Sequence, residues 1–190
     1  MTCDLLLEVL SVGHLTDGIN MNFNALSLRL IAFAFMLMLS LFQQAWSKPF
    51  DVEFVDLSGK TLKLSDFRGQ WVVVNLWATW CPPCVVEMPE LVFFHDKYKG
   101  KGAMVLGVNF ERNAVEKIEN FAQELMINFP IVRFKDIDLN KNSTPFGPLR
   151  GLPSTYMVAP NGEVVAGRAG IVDVKLLEAF IEKYEQQAAH

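Results

Sequence analysis

Residues 70–91 read QWVVVNLWATWCPPCVVEMPEL, and the fold turns on this stretch. Gln70–Trp77 is too continuously apolar for a half-exposed strand, so it is expected as a central strand buried on both faces. Ala78-Thr79-Trp80 leads into Cys81-Pro82-Pro83-Cys84, and a helix is expected from there to about Lys99. Val85, Met88, Leu91 and Val92 keep its period near 3.6. Pro89 falls inside that helix and is expected to kink it. A Cys-X-X-Cys pair at a strand–helix junction has a chemical use. At the helix N-terminus, unpaired N–H groups and the helix dipole favour an anion, so the Cys81 thiol is expected to ionise readily. Thiolate is the attacking species. Cys84, three residues on, lies on the same helical face and is expected as the more buried, resolving thiol. Pro82 and Pro83 suit the first turn, where their missing N–H groups would be unpaired anyway. They stiffen the loop, and the intervening dipeptide is one lever on the redox potential.

Outward from this core the chain alternates strands and helices. Phe50, Val52 and Phe54 alternate with polar residues, and Ser58-Gly59 turns into Lys60–Leu64, a β-hairpin pattern. Ser65–Gly69 reads as a turn or a single helical turn. Ala103–Asn109 (AMVLGVN) is a second buried strand. Asn113 is placed to cap a helix whose face is Val115, Ile118, Phe121, Ala122 and Leu125. A short strand over 129–132 and a long polar loop over 135–151 follow. Ser154–Val158 and Glu163–Ala166 are expected to pair through Pro160-Asn161-Gly162, a strong hairpin signal. Val172–Gln186 closes the chain as an amphipathic helix. This order predicts an α/β protein with a mixed sheet flanked by helices.

The sequence has 190 residues, 51% of them apolar, which is enough for one core of ordinary size. A formal charge of −4 without a basic run argues against a nucleic-acid partner. Residues 30–42 (LIAFAFMLMLSLF) are apolar, with Arg29 before them and Ala45-Trp46-Ser47 after. That is the layout of a signal peptide with a small-x-small cleavage site. As helix the run rises only about 20 Å, short of a hydrocarbon core of about 30 Å. The alternative is an uncleaved anchor over residues 26–42, with Arg29 snorkelling to the interface. Residues 1–20 carry Asp4, Glu8 and Asp17 but no Lys or Arg, so Met21 makes a better start and 1–20 an untranslated extension. The reading is then a signal over 21–47 and a single domain over 48–190, working in an extracytoplasmic or periplasmic space that permits disulfides.

Three cysteines are too few for a disulfide scaffold, and the third, Cys3, lies in the segment read as untranslated. A structural zinc needs four ligands where two cysteines are at hand, so no metal is assigned. A copper site of two cysteines and one histidine is allowed by count, with only His95 and His190 left to serve. A peroxide-reducing cysteine is the sharper rival, because SDFRGQWVVVNLW resembles peroxiredoxin openings. Those proteins place Thr three residues before the reactive Cys, where this chain has Ala78. Dithiol–disulfide exchange, with no cofactor, is the expected chemistry.

LSDFRGQWVVVNLWATWCPPCVVEMPEL together with GLPSTYMVAPNGEVV resembles the TlpA/ResA-like branch of the thioredoxin superfamily, from Phe50 onward. The resemblance implies a thioredoxin-like fold with an N-terminal β-hairpin and a strand–helix insertion around residues 103–126. It implies a protein-disulfide reductase serving exported disulfide-bearing proteins, as in cytochrome c maturation, with electrons from a membrane thiol donor. An oxidant or isomerase is the alternative within that chemistry. By the resemblance Pro153 is the cis-proline facing the disulfide, exposing the Leu152 backbone to a substrate strand. Glu87 matches an acid kept below the active site to shuttle the resolving thiol's proton; a solvated helix glutamate is the alternative. Asn75 replaces the buried Asp of cytosolic thioredoxins, removing one candidate base. Val85-Val86 stands where relatives carry Lys or Arg, as an apolar rim or a buried pair. Trp77 is expected in the core, and Trp80 against substrate.

Overall fold

The computed structural model describes residues 51–188 apart from 113, 139, 140 and 142. The signal, anchor and upstream extension read over 1–47 lie outside the described residues, as do Asn113 and His190. In chain order the elements are β1 (Glu53–Asp56), β2 (Thr61–Lys63), a 3-10 turn (Leu64–Phe67), β3 (Trp71–Trp77) and α1 (Pro82–Tyr98). There follow β4 (Ala103–Asn109), α2 (Val115–Glu124) and β5 (Ile131–Phe134). The chain continues with β6 (Ser143–Thr144), β7 (Gly147–Pro148), β8 (Ser154–Val158), β9 (Val164–Ala169) and α3 (Val174–Ala188). The main sheet runs β2-β1-β5-β4-β3-β8-β9. β3 pairs parallel with β4 and antiparallel with β8, so the sheet is mixed.

Every residue of β3 and of β4 is buried, Asn75 and Asn109 included, as largely apolar runs demand of strands in the sheet's interior. Odd-numbered Trp71, Val73 and Trp77 share a cluster with Met88, Leu91 and Phe94 of α1, Ile118 of α2 and Leu177 of α3. Even-numbered Val72, Val74 and Leu76 join a second cluster with Phe54, Leu64 and Val132, against which Phe67, Phe146 and Leu149 pack. Alternation along the strand thus assigns each neighbour to one core or the other. The ring of Trp71 meets Phe180 and Tyr184 edge-on, and its Nε1–H donates to Glu185 Oε1 at 3.0 Å, docking α3 on the start of β3. His95, buried on α1, accepts a hydrogen bond at Nδ1 from the Val105 N–H of β4 (3.1 Å).

Gly107 of β4 is held small by its neighbours. A Cβ there would stand 2.7 Å from Phe129 Cε2 and 3.1 Å from Trp77 Nε1, and both rings are buried. Gly107→Ala is expected to cost about 1–3 kcal/mol, the usual range for overpacking. The check is a lowered urea midpoint with an unchanged slope. An unmoved midpoint would mean that Phe129 yields at no cost.

Local expectations fare unevenly. The hairpin, the single turn before β3, both buried strands and the Asn161-Gly162 hairpin are present. The strand–helix unit expected over 103–126 is present as β4 and α2, with β4 in the middle of the sheet. α1 continues through Pro89 to Tyr98, close to the expected end at Lys99. The N-cap of α2 is Ala114, not Asn113, and no side chain caps it. The loop over 135–151 holds a two-residue hairpin, β6–β7. The second strand of the last hairpin begins at Val164 and extends to Ala169, three residues beyond the expected end. Among the described residues no helix is long and apolar enough to cross a membrane.

Candidate active site

β3 delivers the chain to the site and α1 receives it. Cys81 is the N-cap of α1, with Pro82 and Pro83 filling the first helical turn. Cys81 and Cys84 are joined by a disulfide with Cα atoms 5.3 Å apart. The backbone N–H of Cys84 donates to Cys81 Sγ at 3.3 Å, so an N-terminal amide already points at the sulfur that would carry the charge. Cys81 is 3% exposed and Cys84 0%, which makes Cys81 the sulfur nearer solvent.

The buried stripe of α1 runs Cys84, Glu87, Met88, Leu91, Phe94 and His95. Glu87 therefore lies one turn below Cys84 on the inward face, and it is fully buried. Its Oε1 accepts from Asn75 Nδ2 (2.7 Å) and its Oε2 from the Val172 N–H (3.1 Å). Asn75 Nδ2 also donates to Thr155 Oγ1 at 3.0 Å. Burial pushes the Glu87 carboxyl up to about 7, while the bonds from Asn75 and Val172 pull it partly back. A carboxyl poised there can take or release a proton in the neutral range. Asn75, buried on the central strand β3, anchors the Glu87 carboxyl.

Three apolar side chains flanking the disulfide in the chain reach solvent. Trp80 and Val86 are exposed, and Val85 is at the margin of exposure, so the valine pair forms a rim and not a core contact. Trp77, by contrast, is wholly buried and stacks on Phe121. The Leu152–Pro153 peptide bond is cis, and Pro153 is buried while Leu152 is half-buried. Two groups of the site carry no sequence signal of their own. Thr155 enters through pairing of β8 with β3, opposite Asn75. Glu111, just past β4, accepts from both the N–H (2.6 Å) and the hydroxyl (3.0 Å) of Thr79. Among the described residues no three or more His, Cys, Asp or Glu side chains converge as metal ligands would.

A mixed sheet with a dithiol pair capping the helix after its central strand defines a thioredoxin-fold thiol–disulfide oxidoreductase. The AhpC/TSA family model matches residues 45–166. The thiol-disulfide oxidoreductase ResA of Geobacillus kaustophilus is 36% identical over 132 residues, covering 70% of this chain and 73% of its own. That of Halalkalibacterium halodurans is 32% identical over 139 residues, covering 72% and 76%. Among solved structures, a thiol:disulfide interchange protein from Bacteroides sp. superposes with a TM-score of 0.60 at 26% identity, over 70% of this chain and 85% of that one. The thioredoxin domain of a thiol-disulfide oxidoreductase from Bacteroides vulgatus gives 0.56 at 25% identity, over 70% and 92%. The chain belongs to the AhpC/TSA family, and like the ResA proteins it resembles it is a redox enzyme.

Proposed function

We propose that this enzyme reduces disulfides of exported proteins through Cys81 and Cys84. The Cys81 thiolate attacks a substrate disulfide, forming a mixed disulfide and releasing one substrate thiolate. Cys84 then gives up its proton, with Glu87 as acceptor, and attacks Cys81 Sγ. That step releases the second substrate thiolate and leaves the Cys81–Cys84 disulfide. Two electrons have passed to the substrate, whose thiolates take up protons. Pro153 and Leu152 flank the entry for a substrate strand, Trp80 covers it, and Pro82 and Pro83 hold the turn. A membrane thiol donor returns two electrons to the disulfide. Export, by a cleaved signal over 21–47 or an anchor over 26–42, puts the enzyme among disulfide-bearing proteins, and cytochrome c maturation is a fitting task.

The buried carboxyl of Glu87, one turn below Cys84, is the observation that carries the reductive direction. Negative charge beneath the pair opposes thiolate, weakens the dithiol relative to the disulfide, and so makes the dithiol a better electron donor. The test is the potential of the pair, by equilibration with glutathione. A reductase is expected to lie below about −200 mV, the poise of an oxidising compartment. A value well above that would make the enzyme an oxidant.

A further inference from the structure

Thr79 and Glu111 are 32 residues apart in sequence, and neither has a part in the exchange of sulfur bonds. Yet the two carboxylate oxygens of Glu111 take up both donors that Thr79 offers, at 2.6 and 3.0 Å. Glu111 is 7% exposed and Thr79 half-buried, so the clasp is partly buried and not a surface pair. It follows β4, which pairs with β3 along all seven residues, so the carboxylate stands on the rigid part of the sheet. Thr79 belongs to the turn between β3 and α1, which closes with the Cys81 N–H donating to Ala78 O (3.2 Å). That turn sets where Cys81 sits relative to the Cys84 N–H that meets its sulfur.

We propose that Glu111 is a positioning residue for the nucleophile. Resting on the reading of Cys81 as that nucleophile, the clasp keeps the turn in place when the disulfide opens. The freed Cys81 thiolate then stays at the helix N-cap, under the Cys84 N–H and the helix dipole. Without the clasp the turn relaxes, the sulfur drifts from those donors, and the thiolate loses their stabilisation.

The test follows iodoacetamide alkylation of Cys81 in the reduced protein from pH 5 to 10, resolved from Cys84 by peptide mass. Variants are Glu111→Ala, Glu111→Gln and Thr79→Val. Glu111→Ala and Thr79→Val are each expected to raise the Cys81 midpoint by about one pH unit, or about tenfold less thiolate at neutral pH. Glu111→Gln keeps an acceptor oxygen and is expected to fall between wild type and Glu111→Ala. The double variant of Thr79→Val and Glu111→Ala is expected to be no worse than the stronger single one. Profiles that superimpose on wild type, whatever happens to stability, would overturn the proposal. So would a midpoint that falls in Glu111→Ala, since then the charge and not the clasp governs the thiol. Should Glu111→Ala fail to fold, Thr79→Val, which removes one hydroxyl at a half-buried position, carries the test. A wild-type Cys81 that shows no thiolate midpoint below Cys84's would instead refute its role as nucleophile.

Discussion

Cys84→Ser is expected to turn the enzyme into a trap for its substrates. Cys81 keeps its place at the N-cap and its ability to attack, but no second thiol remains to resolve the mixed disulfide. Partners should accumulate as covalent adducts that dithiothreitol releases, and multiple-turnover reduction should fall by about 10³ or more. Cys81→Ser should lose as much activity and capture few partners or none, because Cys84 is fully buried and cannot meet a substrate first. Non-reducing gels of cells carrying each variant read both results. If Cys84→Ser yields no adducts, exchange with proteins is wrong and a peroxide or a metal becomes the better substrate.

Glu87→Gln is expected to remove the fall in stability that the oxidised protein shows as pH rises towards neutral. Its folded-state value is raised from 4.5 to about 7, so folding binds a proton. The associated stability is whole below about pH 4.5 and is lost as pH rises through 7. The difference corresponds to about 3 kcal/mol once Glu87 is ionised, as an order of magnitude. Working on the disulfide form removes the thiols from the titration. Urea midpoints from pH 4.5 to 9 should fall in wild type relative to the variant as pH rises through 7, the variant keeping only the pH dependence of His95 and the other groups common to both. The amide NH2 takes the place of one acceptor oxygen, so the variant loses either the bond from Asn75 Nδ2 or the one from the Val172 N–H, a cost that does not change with pH. His95 works in the opposite sense: burial lowers its value, so its contribution is lost as pH falls below about 6.5 in both proteins. Parallel curves at neutral pH would remove Glu87 as the group that titrates. The same substitution should slow turnover most where Cys84 must lose a proton, on the alkaline-rising part of the pH–rate profile.

What could be read from the sequence was local or periodic. A seven-residue stretch that is apolar except for Asn75 requires a strand with neighbours on both sides, and β3 has them. Cys81 and Cys84 are three apart, so their closeness follows from helix geometry alone. The burial of Glu87 was within reach of the same period, since 84, 87, 88 and 91 fall on one face of α1. The start of α2 is less legible, because a helix end shifts by a residue or two with its flanking turn, and here Ala114, with no capping side chain, precedes Val115. The β6–β7 hairpin leaves no mark in the sequence, because two-residue strands carry no periodic pattern.

The sequence by itself determined the strand–turn–helix, its dithiol and the family, because each rests on contacts between near neighbours. Only the tertiary structure decided what surrounds the sulfurs. Asn75 meets Thr155 across 80 residues, Glu87 meets Val172 across 85, and Thr79 meets Glu111 across 32. Those partners are set by which strands lie side by side, β8 and β4 flanking β3, and by where α3 begins. Spacing along the chain carries no trace of such pairs. A buried carboxyl or hydroxyl needs a partner wherever the fold can supply one, and strand order supplies it.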